Sequence, residues 1–141
     1  MRAKLTYTVV VLLIAVGVGT FYGWSPQKRL AHRLKNADRV VVTYPADGFS
    51  MTVMGEEVNK VVEAIAAGKK ESPLVEATPY LQFQFFRRDE CLDRVTTSAQ
   101  VFWIGHKAYT DPTGTLEALM YRYREKHPPM LREQKAPKFL P

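Results

Sequence analysis

The sequence predicts an α+β fold: an N-terminal signal-anchor or transmembrane helix, then a small antiparallel-sheet domain with two helices packed on the sheet. Three observations carry that prediction. Residues 5–27 are 23 consecutive positions without a charged side chain. Several short runs beyond them are β-branched or aromatic and alternate with polar residues, separated by tight turns too short to hold crossover helices. Two further stretches place apolar residues at i, i+3, i+4 and i+7, the spacing of a helix that buries one face.

The apolar run, residues 1–24 with its basic start, is read as the membrane segment. At about 1.5 Å per residue, Leu5 to Trp24 spans roughly 30 Å, the hydrocarbon thickness of a bilayer. Arg2 and Lys4 precede it, and Tyr7, Tyr22 and Trp24 stand where amphipathic rings favour the headgroup level. The same features describe a cleavable signal peptide, but there is no A-x-A-type site, so an uncleaved single-pass anchor is the leading reading. The basic residues of the two flanks are nearly balanced, with a slight excess on the domain side, and the very short tail ahead of the run is what points to an extracytoplasmic domain. Release into the periplasm or the exterior after cleavage is the alternative. Ala15, Gly19 and Gly23 recur every four residues, a small-residue face that fits a homodimer seam between membrane helices.

Residues 25–37 follow as a basic juxtamembrane stalk. Ser25-Pro26 supplies an N-cap and a first-turn proline, and Leu30 and Leu34 share one face. Lys28, Arg29, Arg33 and Lys35 cover the remainder and are expected to meet anionic headgroups.

The domain proper is expected over residues 38–127, in the order ββαββββα. Arg39 to Tyr44 is β-branched, Pro45-Ala46-Asp47-Gly48 carries turn chemistry, and Phe49, Met51 and Val53 alternate with Ser50 and Thr52, so the pair predicts a hairpin. Gly55 stops it. Glu56-Glu57 begin a helix with Val58, Val61, Val62 and Ile65 on its inner face, closed by Gly68 and Lys69-Lys70. Lys69 to Pro79 reads as a polar loop. Three strands follow, Tyr80 to Phe86, Cys91 to Thr97 and Gln100 to Ile104, and Gly105-His106 turns the last into Lys107 to Thr110. Asp111-Pro112 is expected to cap and open a final helix with Leu116, Leu119, Met120 and Tyr123 on one face. Residues 128–141, with prolines at 128, 129, 137 and 141, are read as a Pro-rich flexible tail.

Charge and composition exclude several function classes. The net charge of +6 does not reside on the domain: residues 40–121 hold 7 basic and 11 acidic side chains, so the positive balance belongs to the flanking segments. That favours a lipid bilayer over nucleic acid as the partner of the basic residues. One Cys and 3 His, with no second ligand at helical spacing, predict no metal, and no phosphate loop or nucleophile elbow is present, so no cofactor and no catalytic residue is expected. Tyr80 and Phe86 lie on the outward side of their strand, and Phe102 and Trp103 point to opposite sides of theirs. One strand is therefore apolar on both faces. Tyr80, Phe86, Phe102 and Trp103 are the candidate docking residues for another protein. The function expected is that of a membrane-anchored or exported binding or accessory module. The alternatives are a secreted inhibitor or ligand binder released by cleavage, and a small enzyme whose site converges only in three dimensions.

Overall fold

The computed structural model describes residues 8–14, 16, 23–45, 49–71 and 81–126. Among these it shows a small α+β domain with a seven-stranded antiparallel sheet and four helices. Helix α1 is described over residues 8–14 and 16, and its side chains from Val9 to Ile14 are 48 to 66% exposed. No helix among the described residues is long and apolar enough to cross a membrane. The Pro-rich tail, Ala15 and Gly19 lie outside the described residues.

The remaining elements are α2 (Pro26–Leu34), β1 (Arg39–Thr43), β2 (Ser50–Met54), α3 (Glu56–Ala66), β3 (Lys69–Lys70), β4 (Leu81–Arg87), β5 (Glu90–Ser98), β6 (Val101–Ile104), β7 (Lys107–Thr110) and α4 (Thr115–Lys126). The strands lie in the order β2-β1-β4-β5-β6-β7-β3. All six strands expected from alternation form. The hairpin pairs Val40 with Val53 and Val42 with Met51, while its turn residues 46–48 lie outside the described residues. Gly105 turns β6 into β7 with a φ of +61°, which a glycine adopts without steric cost. At the turn between β4 and β5, Arg88 holds a φ of +54°, and the Asp38 carboxylate accepts its backbone N–H at 2.5 Å.

One face of the sheet is dry. Val40 and Val42, Met51 and Val53, Leu81, Phe83 and Phe85, Val95, Phe102 and Tyr109 are all buried, and their register makes them one continuous row of side chains across the strands. Helices cover it. The α3 stripe is buried through Val58, Val61, Ala64 and Ile65, with Val62 half-buried, and all four expected residues of α4 are buried.

Four features differ from the sequence reading. The expected stalk is a third helix of the domain: α2 packs against α3 and β5, with Leu30, Ala31 and Leu34 in the core, so three helices rather than two share the dry face. Two leucines one turn apart suffice, because Gln27 Nε2 also donates to the Gly68 carbonyl at 3.0 Å and Arg33 reaches Asp93 at 2.7 Å. Second, the polar stretch after α3 begins with a two-residue strand, β3, paired with β7 through Lys69–Thr110 and Lys70–Tyr109. Two residues are too few to alternate visibly. Third, Gly68 does not close α3 through a left-handed φ. It is needed for space, since a Cβ there would sit 2.4 Å from Cζ of Phe102. Fourth, α4 starts at Thr115, four residues after Asp111. The buried Asp111 carboxylate still caps it, accepting the Leu116 N–H at 2.9 Å with one oxygen and the Thr113 N–H and hydroxyl with the other.

Candidate functional site

Alternation and register together define the second face of the sheet. Arg39, Val41, Thr43, Thr52, Met54, Gln82, Gln84, Phe86, Arg94, Thr96, Val101, Trp103 and Ala108 lie on it, every one of them half-buried or exposed. No described helix packs there. The four candidate docking residues separate on this evidence. Phe86 and Trp103 both stand half-buried on the open face. Phe102 does not: it is fully buried, stacked on Tyr109 with ring centroids 5.5 Å apart, and so belongs to the core. Its neighbour Trp103 takes the opposite side because consecutive strand residues point to opposite faces. Tyr80 lies outside the described residues.

Phe86 and Trp103 sit in different rows. Phe86 is flanked by Arg39 on β1 and Cys91 on β5, and the Arg39 guanidinium lies 4.8 Å above its ring in a cation–π contact. Asp38 and Asp89 each approach the same guanidinium at 4.0 Å. Trp103 lies between Thr96 and Ala108. Sheet spacings put the two aromatic positions roughly 17 Å apart, two strands across and four residues along. Polar Gln82, Gln84 and Thr96 and the cation Arg94 fill the area between, and the Gln84 amide donates to Gln82 Oε1 at 2.8 Å. Among the described residues the Arg94 guanidinium has no ion-pair partner. The face therefore combines two separated, half-buried aromatic side chains with polar groups and a guanidinium that no described carboxylate neutralises.

A β-bulge sets the border of this face. Leu92 and Asp93 together oppose Phe85, so both turn toward the helices. Leu92 joins the core, and Asp93, at 31% side-chain exposure, meets Arg33 of α2, at 64%. Of the four basic residues expected at a membrane surface, Arg33 is thus tied to the domain and Arg29 is half-buried, while Lys28 and Lys35 are exposed. Gly23 lies in an exposed turn ahead of α2. Cys91 is exposed beside Phe86, and its Sγ–H donates to the Asp93 carbonyl at 3.8 Å.

A cleft of about 400 Å³ lies between α3 and α4, lined by Glu57, Lys60, Thr113, Thr115 and Arg122 among others. Its polar groups largely satisfy one another. Arg122 donates to Glu57 at 2.7 Å, and the Thr113 and Thr115 hydroxyls lie 2.8 Å apart. The Arg122 hydrogen bond holds the Glu57 carboxyl below the usual carboxylate range against a smaller opposing effect of burial, and Lys60 and Lys126 add to the lowering. This is the arrangement of a helix-to-helix clasp. Sequence reasoning did not mark it, because Glu57 and Arg122 are 65 residues apart and each reads as an ordinary surface charge. No protein-family model, no curated protein and no solved structure matches the chain.

Proposed function

We propose that the protein is a small membrane-anchored or exported binding module that docks another protein on the open face of its sheet, with Phe86 and Trp103 as the anchoring side chains. The observation that carries this reading is the pair of half-buried aromatics on a face that no described helix covers. Aromatic side chains at the centre of a desolvated patch contribute most of the energy at typical interfaces. Arg39, Arg94 and the register neighbour Lys69 favour a partner segment that carries carboxylates among apolar residues. The anchor part of the reading is supported by the uncharged run of residues 5–27 and by the exposed apolar side chains of α1 from Val9 to Ile14.

The test is a photo-crosslinking amino acid placed at Phe86 or at Trp103 in the full chain, expressed in its own membranes, with the exposed helix position Asn59 as the control site. A discrete adduct from positions 86 and 103, absent from position 59 and lost on Arg94→Glu, is the expected result. Adducts of equal yield at all three positions, or none at 86 and 103, reject the docking face.

A further inference from the structure

The two edges of the sheet are built differently. At one end β3 is only two residues long, and both are exposed lysines. Shortness and positive charge are ordinary protections of an open hydrogen-bonding edge, since an incoming strand would have to desolvate the ammonium groups. At the other end β2 is five residues long, Ser50-Met51-Thr52-Val53-Met54, and its pairing with β1 runs through all five without a bulge. It has no charge and no proline. No described strand lies beyond it. Ser50, Thr52 and Met54 are exposed, Met54 to 65%. Among the described residues, none of the usual devices that stop strand addition is present on this edge.

We propose that β2 is a self-pairing edge: two copies of the chain join through β2, antiparallel, about a two-fold axis at Thr52. The segment is complementary to itself in that register. Thr52 faces Thr52 of the second copy, Met51 faces Val53, and Ser50 faces Met54. Met51 and Val53 are both buried on the helix-covered side, so the dry row of one copy continues into that of the other. On the open side the long, exposed Met54 side chain lies over the small Ser50. No charged side chain meets a like charge among these five pairs, which distinguishes β2 from β3, where the same operation would oppose lysines. A strand donated by a different protein is the competing occupant, since backbone pairing by itself does not choose its partner. The self-complementary register favours the second copy.

Sedimentation of the full chain in detergent micelles tests this with two charge variants. Thr52→Lys and Thr52→Glu each place like charges face to face at the two-fold and are expected to weaken self-association about fivefold or more, while an equimolar mixture of the two recovers it. A chain that stays monomeric at every attainable concentration overturns the proposal. So does a dimer indifferent to Thr52→Lys, which would belong to another seam such as the membrane helix. Because a charge could also loosen the hairpin, a second measurement uses Thr52→Cys in a Cys91→Ser background. Antiparallel partners sit about 4.5 to 5.5 Å apart at Cα, within reach of a disulfide. Oxidation of membranes should link two copies through position 52, whereas Asn59→Cys in the same background should not. A link from position 52 to a different protein assigns the edge to a foreign strand and ends the self-pairing model.

Discussion

Phe85 and Phe86 are neighbours in one strand with opposite fates. Phe85 is fully buried under the helices, whereas Phe86 is half-buried on the open face beneath the Arg39 guanidinium. The contrast extends over the whole sheet: one face carries an almost purely apolar row, and the other carries Gln, Thr, Arg and two half-buried aromatics. Side chains that the helices leave uncovered stay accessible, and the proposed docking rests on that difference between the faces.

The largest expected effect tests that contrast directly. Phe85→Ala should cost about 3 to 5 kcal/mol in chemical denaturation, the range for deleting a buried aromatic, whereas Phe86→Ala should cost about 1 kcal/mol or less. Comparable losses at the two positions would mean that the open face is a second core. An intermediate effect is expected from Gly68→Ala, where the added methyl would collide with the Phe102 ring. Overpacking of this kind typically costs about 1 to 3 kcal/mol. A smaller residue in place of Phe102 should relieve the collision, which a Gly68→Ala/Phe102→Leu double variant measures as a coupling between the two sites.

The smallest effect belongs to the rim of the helix layer. The folded pKa of Glu57 lies below its unfolded value, so the Glu57–Arg122 pair contributes stability above the unfolded carboxylate pKa of about 4.3. That contribution is lost as pH falls through the lower folded value. Both side chains are more than a third exposed, so the contribution is about 0.5 kcal/mol or less after solvent screening. Glu57→Gln should flatten this part of the acid branch of the stability curve by that amount and leave stability above pH 8 lower by a constant offset.

Much of the covered face was legible in the chain. Leu81, Phe83 and Phe85 alternate with Gln82 and Gln84, and Val58, Val61 and Ile65 repeat at helical spacing, so burial of one side follows from local periodicity alone. The candidate site was legible only in half. Alternation sent Phe102 and Trp103 to opposite sides of β6, but it could not say which side the helices would cover. Pairings between distant segments were also silent. The β1–β4 ladder joins Arg39–Thr43 to Gln82–Phe86 across β2, α3 and β3, and no local signal records it. The bulge that turns Asp93 toward Arg33 exists only when β4 and β5 are laid side by side.

By itself, the sequence determined the periods, the turns and the charge distribution: six strands, the amphipathic helices α3 and α4, the long uncharged N-terminal run, and the acidic balance of residues 40–121. These are local properties, written in the order of side chains and read without knowing what packs on what. Only the tertiary structure decided that α2 belongs to the core, that Gly68 makes room for Phe102, and that Trp103 rather than Phe102 faces outward. It also decided that the unguarded β2, and not the lysine-bearing β3, ends the sheet on its hairpin side. Each of these depends on which surfaces meet, and that is settled by the burial of one shared apolar row rather than by any single segment.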